Sequence, residues 1–151
     1  MQGKMTTQRV LPLDQGSPKF EATFEISGII LNYPAKAMVT YWSTILPNGT
    51  LYGECPNQGV VMTQSGNTAT FRAAGAGKFT NAAGAASFRG AIYYTSTSEA
   101  LAALNGLAVV YEWDVDENGK AILTAGSGSK RNRKPPDVAN GRRKPKRVAV
   151  K

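Results

Sequence analysis

Apolar and polar residues begin to alternate at Lys19 and continue to do so, with interruptions, as far as Thr124. Phe20, Ala22, Phe24 and Ile26 fall on one side and Glu21, Thr23, Glu25 and Ser27 on the other. This is the period of two expected of a strand with one buried face. Ala37–Leu46 repeats it, with Val39, Tyr41 and Ile45 against Thr40, Ser43 and Thr44, although Met38 and Trp42 make the second face apolar too. Pro47-Asn48-Gly49 then marks a hairpin, because a tight primed turn needs residues that tolerate positive φ. Further strands are expected over Thr50–Glu54, Gly59–Gln64, Thr68–Ala73, Ala86–Thr95, Leu107–Val115 and Lys120–Thr124, about eight in all. Ser65-Gly66-Asn67 and Glu117-Asn118-Gly119 supply turns between them. One short helix interrupts the series: Ser96 and Glu99 have capping-box spacing, Leu101 and Leu104 share a face, and Gly106 supplies the stop.

Many short strands around one or two helical turns suit an antiparallel barrel or sandwich better than a βαβ fold. Ala73–Gly77 and Ala82–Ala86 are runs of small residues. Glycine within strands permits the curvature and close backbone approach that barrel closure requires. The predicted fold is therefore all-β, a single antiparallel eight-stranded barrel with one short helix over residues 19–125. Residues 1–18, polar and holding Pro12, Gly16 and Pro18 without a sustained period, read as a flexible leader. Residues 126–151, opening with Gly126-Ser127-Gly128-Ser129, read as a disordered basic tail.

Charge reinforces that division. Of 18 Lys and Arg and 10 Asp and Glu, 10 basic residues and one acid lie from Lys130 onward, a net +9. The remaining 8 basic and 9 acidic residues give the rest of the chain −1, so the overall +8 belongs to the tail. Lys130, Arg131, Arg133, Lys134, Arg142, Arg143, Lys144, Lys146 and Arg147 are the candidate polyanion-binding residues. Such a segment binds nucleic acid or another polyanion through counterion release, without sequence preference. Its two basic clusters also have the layout of a bipartite nuclear localisation signal, and a non-functional extension is the plain alternative. A single cysteine and no histidine exclude an intramolecular disulfide and the usual Cys and His zinc sets. No cofactor or metal is expected. No apolar run reaches the ~18 residues of a membrane helix, and the polar start lacks a signal-peptide stretch. A cytoplasmic setting is the expectation, or a nuclear one in a eukaryotic cell.

Gly75-Ala76-Gly77-Lys78-Phe79, followed by Ser87-Phe88-Arg89-Gly90-Ala91-Ile92-Tyr93-Tyr94, resembles the glycine-rich strand pairs of allene oxide cyclase and dirigent-type barrels. Leu104–Glu112 is similar to segments of small bacterial proteins of that barrel type. The resemblance spans Phe20–Val115 and implies a small eight-stranded barrel with an apolar cavity. It also raises the alternative of an isomerase or cyclase acting in the cavity. No catalytic residue of those families has a matching position here.

The missing histidine removes Ser-His-Asp and Cys-His catalysis. Cys55 has no evident base partner and reads as a structural thiol. Gly75–Phe79 fails as a phosphate loop, since Arg72 stands where that loop needs glycine and Phe79 where it needs Ser or Thr. Asp114, Asp116, Glu117 and Asn118 lack the spacing of a calcium loop and suit a hairpin tip. Glu112, in the apolar run Val109–Trp113, is the candidate catalytic group. Facing the interior beside Arg72 or Arg89 it would be a general acid or base; pointing to solvent beside Asp114 it would be ordinary surface. Arg72, Arg89, Tyr93, Tyr111 and Trp113 are the candidate ligand-binding residues. The expected function is a non-enzymatic barrel binding a small apolar ligand or a protein partner, with a polyanion-binding tail.

Overall fold

The computed structural model describes residues 1–127, which form eight antiparallel strands closed into one barrel. The strands are β1 Gln2–Asp14, β2 Ser17–Ile30, β3 Tyr33–Ile45, β4 Leu51–Thr63, β5 Thr68–Phe79, β6 Ala86–Thr95, β7 Val109–Val115 and β8 Lys120–Ser127. A short 3-10 helix, Glu99–Leu104, joins β6 to β7. Order around the barrel is order along the chain, so every pairing but the last is a local hairpin or short connection. Closure rests on a short seam in which Gln2, Gly3 and Lys4 face Ile122, Ala121 and Lys120. The Met1 amino group donates to the Leu123 carbonyl at 2.8 Å, and Met5 N–H donates to the Gly119 carbonyl at 2.8 Å, extending it at both ends.

The expected leader is thus largely a barrel strand: residues 2–14 pair with β2, and residues 2–4 pair with β8 as well. Its polar surface hid it: beyond Met1, Gly3 and Met5, β1 covers little apolar area and is held by backbone pairing. The joining turn places Gln15 and Gly16 at φ 49° and 84°, the positive pair of a primed hairpin turn, and Leu31 and Asn32 at 46° and 69° do the same between β2 and β3. The two strands expected over Thr50–Glu54 and Gly59–Gln64 are one strand, β4. Pro56, which lacks an N–H, and Asn57, at φ 59°, lie in a bulge where the register with β5 breaks between Cys55 and Gly59. These two departures offset each other, which is why the strand number agrees with expectation. Gly126 and Ser127, expected in a flexible joint, pair with Val110 and Val109. The expectations for residues 128–151, including every basic residue from Lys130 onward, lie outside the described residues.

Small residues in the β4–β5 wall make room for rings on paired or nearby strands. A side chain at Gly59 would collide with the Phe71 ring, one at Gly77 with Phe88, and one at Gly75 with the Tyr111 hydroxyl. Four aromatic residues cluster beside that wall: Trp113 meets Phe24 edge-on at 5.0 Å, and Tyr41 lies 5.8 Å from Phe24 and 6.2 Å from Phe88. Such offset and edge contacts each contribute about 0.5–1.5 kcal/mol beyond simple burial.

The two ends of the barrel differ. At one end the 3-10 helix carries Leu101 and Leu104 into the core, and Leu101 is 0% exposed. The expected capping box does not form. Ser98 is the cap residue, while the Ser96 hydroxyl donates to the Thr68 carbonyl and accepts from Ser98 N–H. Asn105 fixes the connection further by bonding both the N–H and the carbonyl of Ser96, each at 2.9 Å. The other end, formed by the β1–β2, β3–β4, β5–β6 and β7–β8 connections, has no such plug among the described residues.

Candidate functional site

Strict alternation decides which residues face inward. In β7, Val109, Tyr111, Trp113 and Val115 point into the barrel, so Val110, Glu112 and Asp114 point out. In β6, Phe88, Ile92 and Tyr94 point in, which turns Arg89 and Tyr93 outward. The candidate catalytic residue Glu112 therefore lies on the outer surface, its side chain 59% exposed and 3.5 Å from Arg89. The premise of a carboxyl in an apolar pocket is not met, because alternation cannot place Glu112 inside together with Tyr111 and Trp113.

Arg89 is occupied on that outer face. Its guanidinium donates to Asp114 at 2.9 Å and to the Ser87 hydroxyl at 2.9 Å, and Ser87 donates in turn to Asp114 at 2.6 Å. The Arg89 and Ser87 hydrogen bonds hold the Asp114 carboxyl below its usual value. Arg72 also lies outside, over the Tyr93 ring at 5.4 Å. Of the five expected ligand-binding residues, Tyr111 and Trp113 reach the interior, while Arg72, Arg89 and Tyr93 do not. At the β7–β8 turn, one carboxylate oxygen of Asp116 accepts from the backbone N–H groups of Asn118 and Lys120, as a turn-forming residue does.

Inside the barrel lies a cavity of about 60 Å³. Its walls are largely apolar, formed by Ile26, Val39, Phe71, Ile92, Trp113 and Leu123, and Tyr41, Tyr111 and Cys55 bring polar side chains to it. The Cys55 thiol is buried within β4 next to the bulge, and burial pushes its pKa up, consistent with a structural thiol. Burial likewise raises Tyr41 and lifts Tyr111 to about 12, so both phenols keep their protons at neutral pH. Trp113 Nε1–H donates to the Tyr41 oxygen at 3.3 Å.

At the unplugged end a cleft of about 540 Å³ opens above the cavity. Phe20, Ala22, Ile45, Leu51, Phe79 and Val115 give it an apolar floor, and Thr6, Thr7, Gln8, Ser43, Asp116 and Glu117 a polar rim. Tyr41 and Phe88, packed edge-on, line both spaces and stand between them. A further cleft of about 440 Å³ lies at the plugged end, between Ile29–Leu31, Leu104–Val109 and β8. Tyr41, Phe71 and Phe88 are not among the candidate ligand-binding residues; alternation within each strand, with Val39 on β3, Ala69 on β5 and Ile92 on β6, is the signal that sorts them from outward aromatics such as Tyr93.

No helix among the described residues is long and apolar enough to cross a membrane. No family model matches the sequence, and no curated protein matches it. Among solved structures the chain is similar to a conserved protein of unknown function from Rhodopseudomonas palustris, with a TM-score of 0.69 at 8% identity over 83% of this chain and 91% of that one. At that identity the likeness establishes the fold alone: this chain is a closed eight-stranded antiparallel β-barrel with a structural neighbour of unknown function.

Proposed function

We propose that the barrel is a non-enzymatic binding module for a small, largely apolar molecule that enters at the unplugged end. The observation that carries this is that an apolar-floored cleft of about 540 Å³ and an interior cavity of about 60 Å³ share Tyr41 and Phe88 in their walls. Ligand sites of soluble proteins commonly measure ~300–1,000 Å³ and combine apolar walls with a few polar groups. The cavity alone holds only a few non-hydrogen atoms, so the ligand body lies in the cleft and one end reaches inside. An eight-stranded barrel is the size at which the interior is either filled or holds one small ligand. The likeness of Gly75–Phe79 and Ser87–Tyr94 to allene oxide cyclase and dirigent-type barrels favours the same use of the interior. A cyclase or isomerase acting through Glu112 gains no support from that residue's outward, ion-paired position.

Titration with the neutral dye N-phenyl-1-naphthylamine tests the proposal. Saturable fluorescence enhancement is expected, with strong loss in Ser43→Trp, whose side chain fills the cleft from its rim. Non-saturable binding, or binding unchanged by that substitution, contradicts it.

The basic segment from Lys130 carries a second, independent reading, attachment to nucleic acid or another polyanion, supported by its net +9. Full-length protein is expected to bind DNA or RNA with log K falling at a slope near −5 against log salt, for about five or six phosphates contacted. A version ending at Ser127 is expected to lose that binding, and equal binding by both contradicts the reading.

A further inference from the structure

The cavity's hydrogen-bonding groups restrict its occupant further. Among the described residues every fully buried side-chain nitrogen or oxygen has a partner. The Tyr111 hydroxyl has none among the described residues, so it has open space beside it, on the cavity that Tyr111 lines. Tyr41 uses its oxygen to accept from Trp113, which leaves its own proton to donate. Two phenol donors therefore lack a protein acceptor inside an apolar space. No Lys or Arg lines that space, and the carboxylate of Glu54 lies on the outer face beside Tyr52. An anionic ligand end would be desolvated there with no counter-charge.

We propose that the ligand places one neutral, hydrogen-bond-accepting oxygen, a carbonyl or an ether, on the Tyr41 and Tyr111 hydroxyls, with its apolar body running back along the cleft floor. This rests on the small-molecule reading above and specifies the ligand's buried end. An acceptor bonded there satisfies groups that apolar company leaves unpaired, whereas a hydrocarbon end does not. Gly75, on β5 and separated from Tyr111 only by β6, is the complement, because any larger residue would occupy the place of the Tyr111 hydroxyl.

The test compares 2-octanone with 2-methyl-1-octene, in which a methylene group replaces the carbonyl oxygen at the same chain length, and with octanoate. Full-length protein carrying Trp42→Phe leaves Trp113, on the cavity wall, as the single tryptophan reporter. Tyr111→Phe is expected to weaken 2-octanone by about twofold to tenfold, the usual range for one neutral hydrogen bond, while leaving the alkene within about twofold. Tyr41→Phe should act in the same direction, but it also strands the Trp113 N–H, so Tyr111→Phe is the cleaner variant. Alkene binding reports that each variant keeps its fold. The carbonyl stretch of bound 2-octanone should move to lower wavenumber than in hexane, and move part of the way back in Tyr111→Phe, where the Tyr41 donor remains. Equal effects of the substitution on ketone and alkene, an unshifted carbonyl stretch, or tighter binding of octanoate than of ketone overturns the inference and leaves the binding function standing. Failure of ketone and alkene alike to bind overturns both.

Discussion

The two ends of this barrel are built from the same strands and put to opposite uses. At the plugged end, Leu101 and Leu104 complete the core, and Ser96 and Asn105 hold the connection that carries them. At the other, Phe20, Phe79 and Ile45 line a cleft, and no helix covers it among the described residues. Under the proposed binding function, this is the end at which a ligand would enter and leave.

Substitutions divide along the same line. Leu101→Ala should have the largest effect on stability, about 2–5 kcal/mol, because it removes a fully buried side chain and leaves a cavity. Chemical denaturation measures it, and a loss under 1 kcal/mol would mean that the helix is an ornament and not a plug. Gly75→Ala, on β5 against the Tyr111 hydroxyl, should cost about 1–3 kcal/mol through collision with Tyr111 and the Arg89 carbonyl, and should weaken binding of neutral probes by displacing that hydroxyl. Phe79→Ala lies at the open end, where its side chain is 45% exposed. Its stability should change by no more than ~0.5 kcal/mol, while affinity for N-phenyl-1-naphthylamine falls several-fold.

The smallest effect belongs to the outer face. The Asp114 carboxyl is held below its unfolded value by Arg89 and Ser87, so its contribution is present above about pH 4 and is lost as pH falls through the folded value. The group is half exposed, so the contribution is at most ~1 kcal/mol after solvent screening. Asp114→Asn should remove that part of the acid dependence and leave probe binding unchanged.

The strand pattern from Phe20 to Val115 was legible because apolar side chains alternate over most of it, and the turns at Asn48-Gly49, Gly66 and Gly119 announce themselves by composition. The first strand was not, because residues 2–14 contribute hydrogen bonds and seam closure more than apolar area. Pro56 and Asn57 carry the composition of a strand break, yet they form a bulge inside a continuous strand; local composition cannot distinguish the two when the partner strand decides. The candidate site was half legible. Tyr111 and Trp113 reach the cavity, while Glu112 takes the solvent-facing alternative beside Asp114, as alternation from its two neighbours requires. Tyr93 beside Tyr94 poses the same problem, and the parity of Phe88 and Ile92 resolves it. The pairing of Gly75 with the Tyr111 hydroxyl joins positions on β5 and β7, across β6, and emerges only once the strands are placed side by side.

The contrast between the ends, and with it the proposed function, is tested most directly by mapping amide chemical-shift changes on titration with N-phenyl-1-naphthylamine. Changes are expected to concentrate at Phe20, Ser43, Ile45, Leu51 and Phe79 and to extend inward to Tyr41 and Phe88, with little change over Leu101–Leu107. Changes centred on Ile29–Leu31 and Leu107 at the plugged end, or none above those of a non-binding control, would contradict the account.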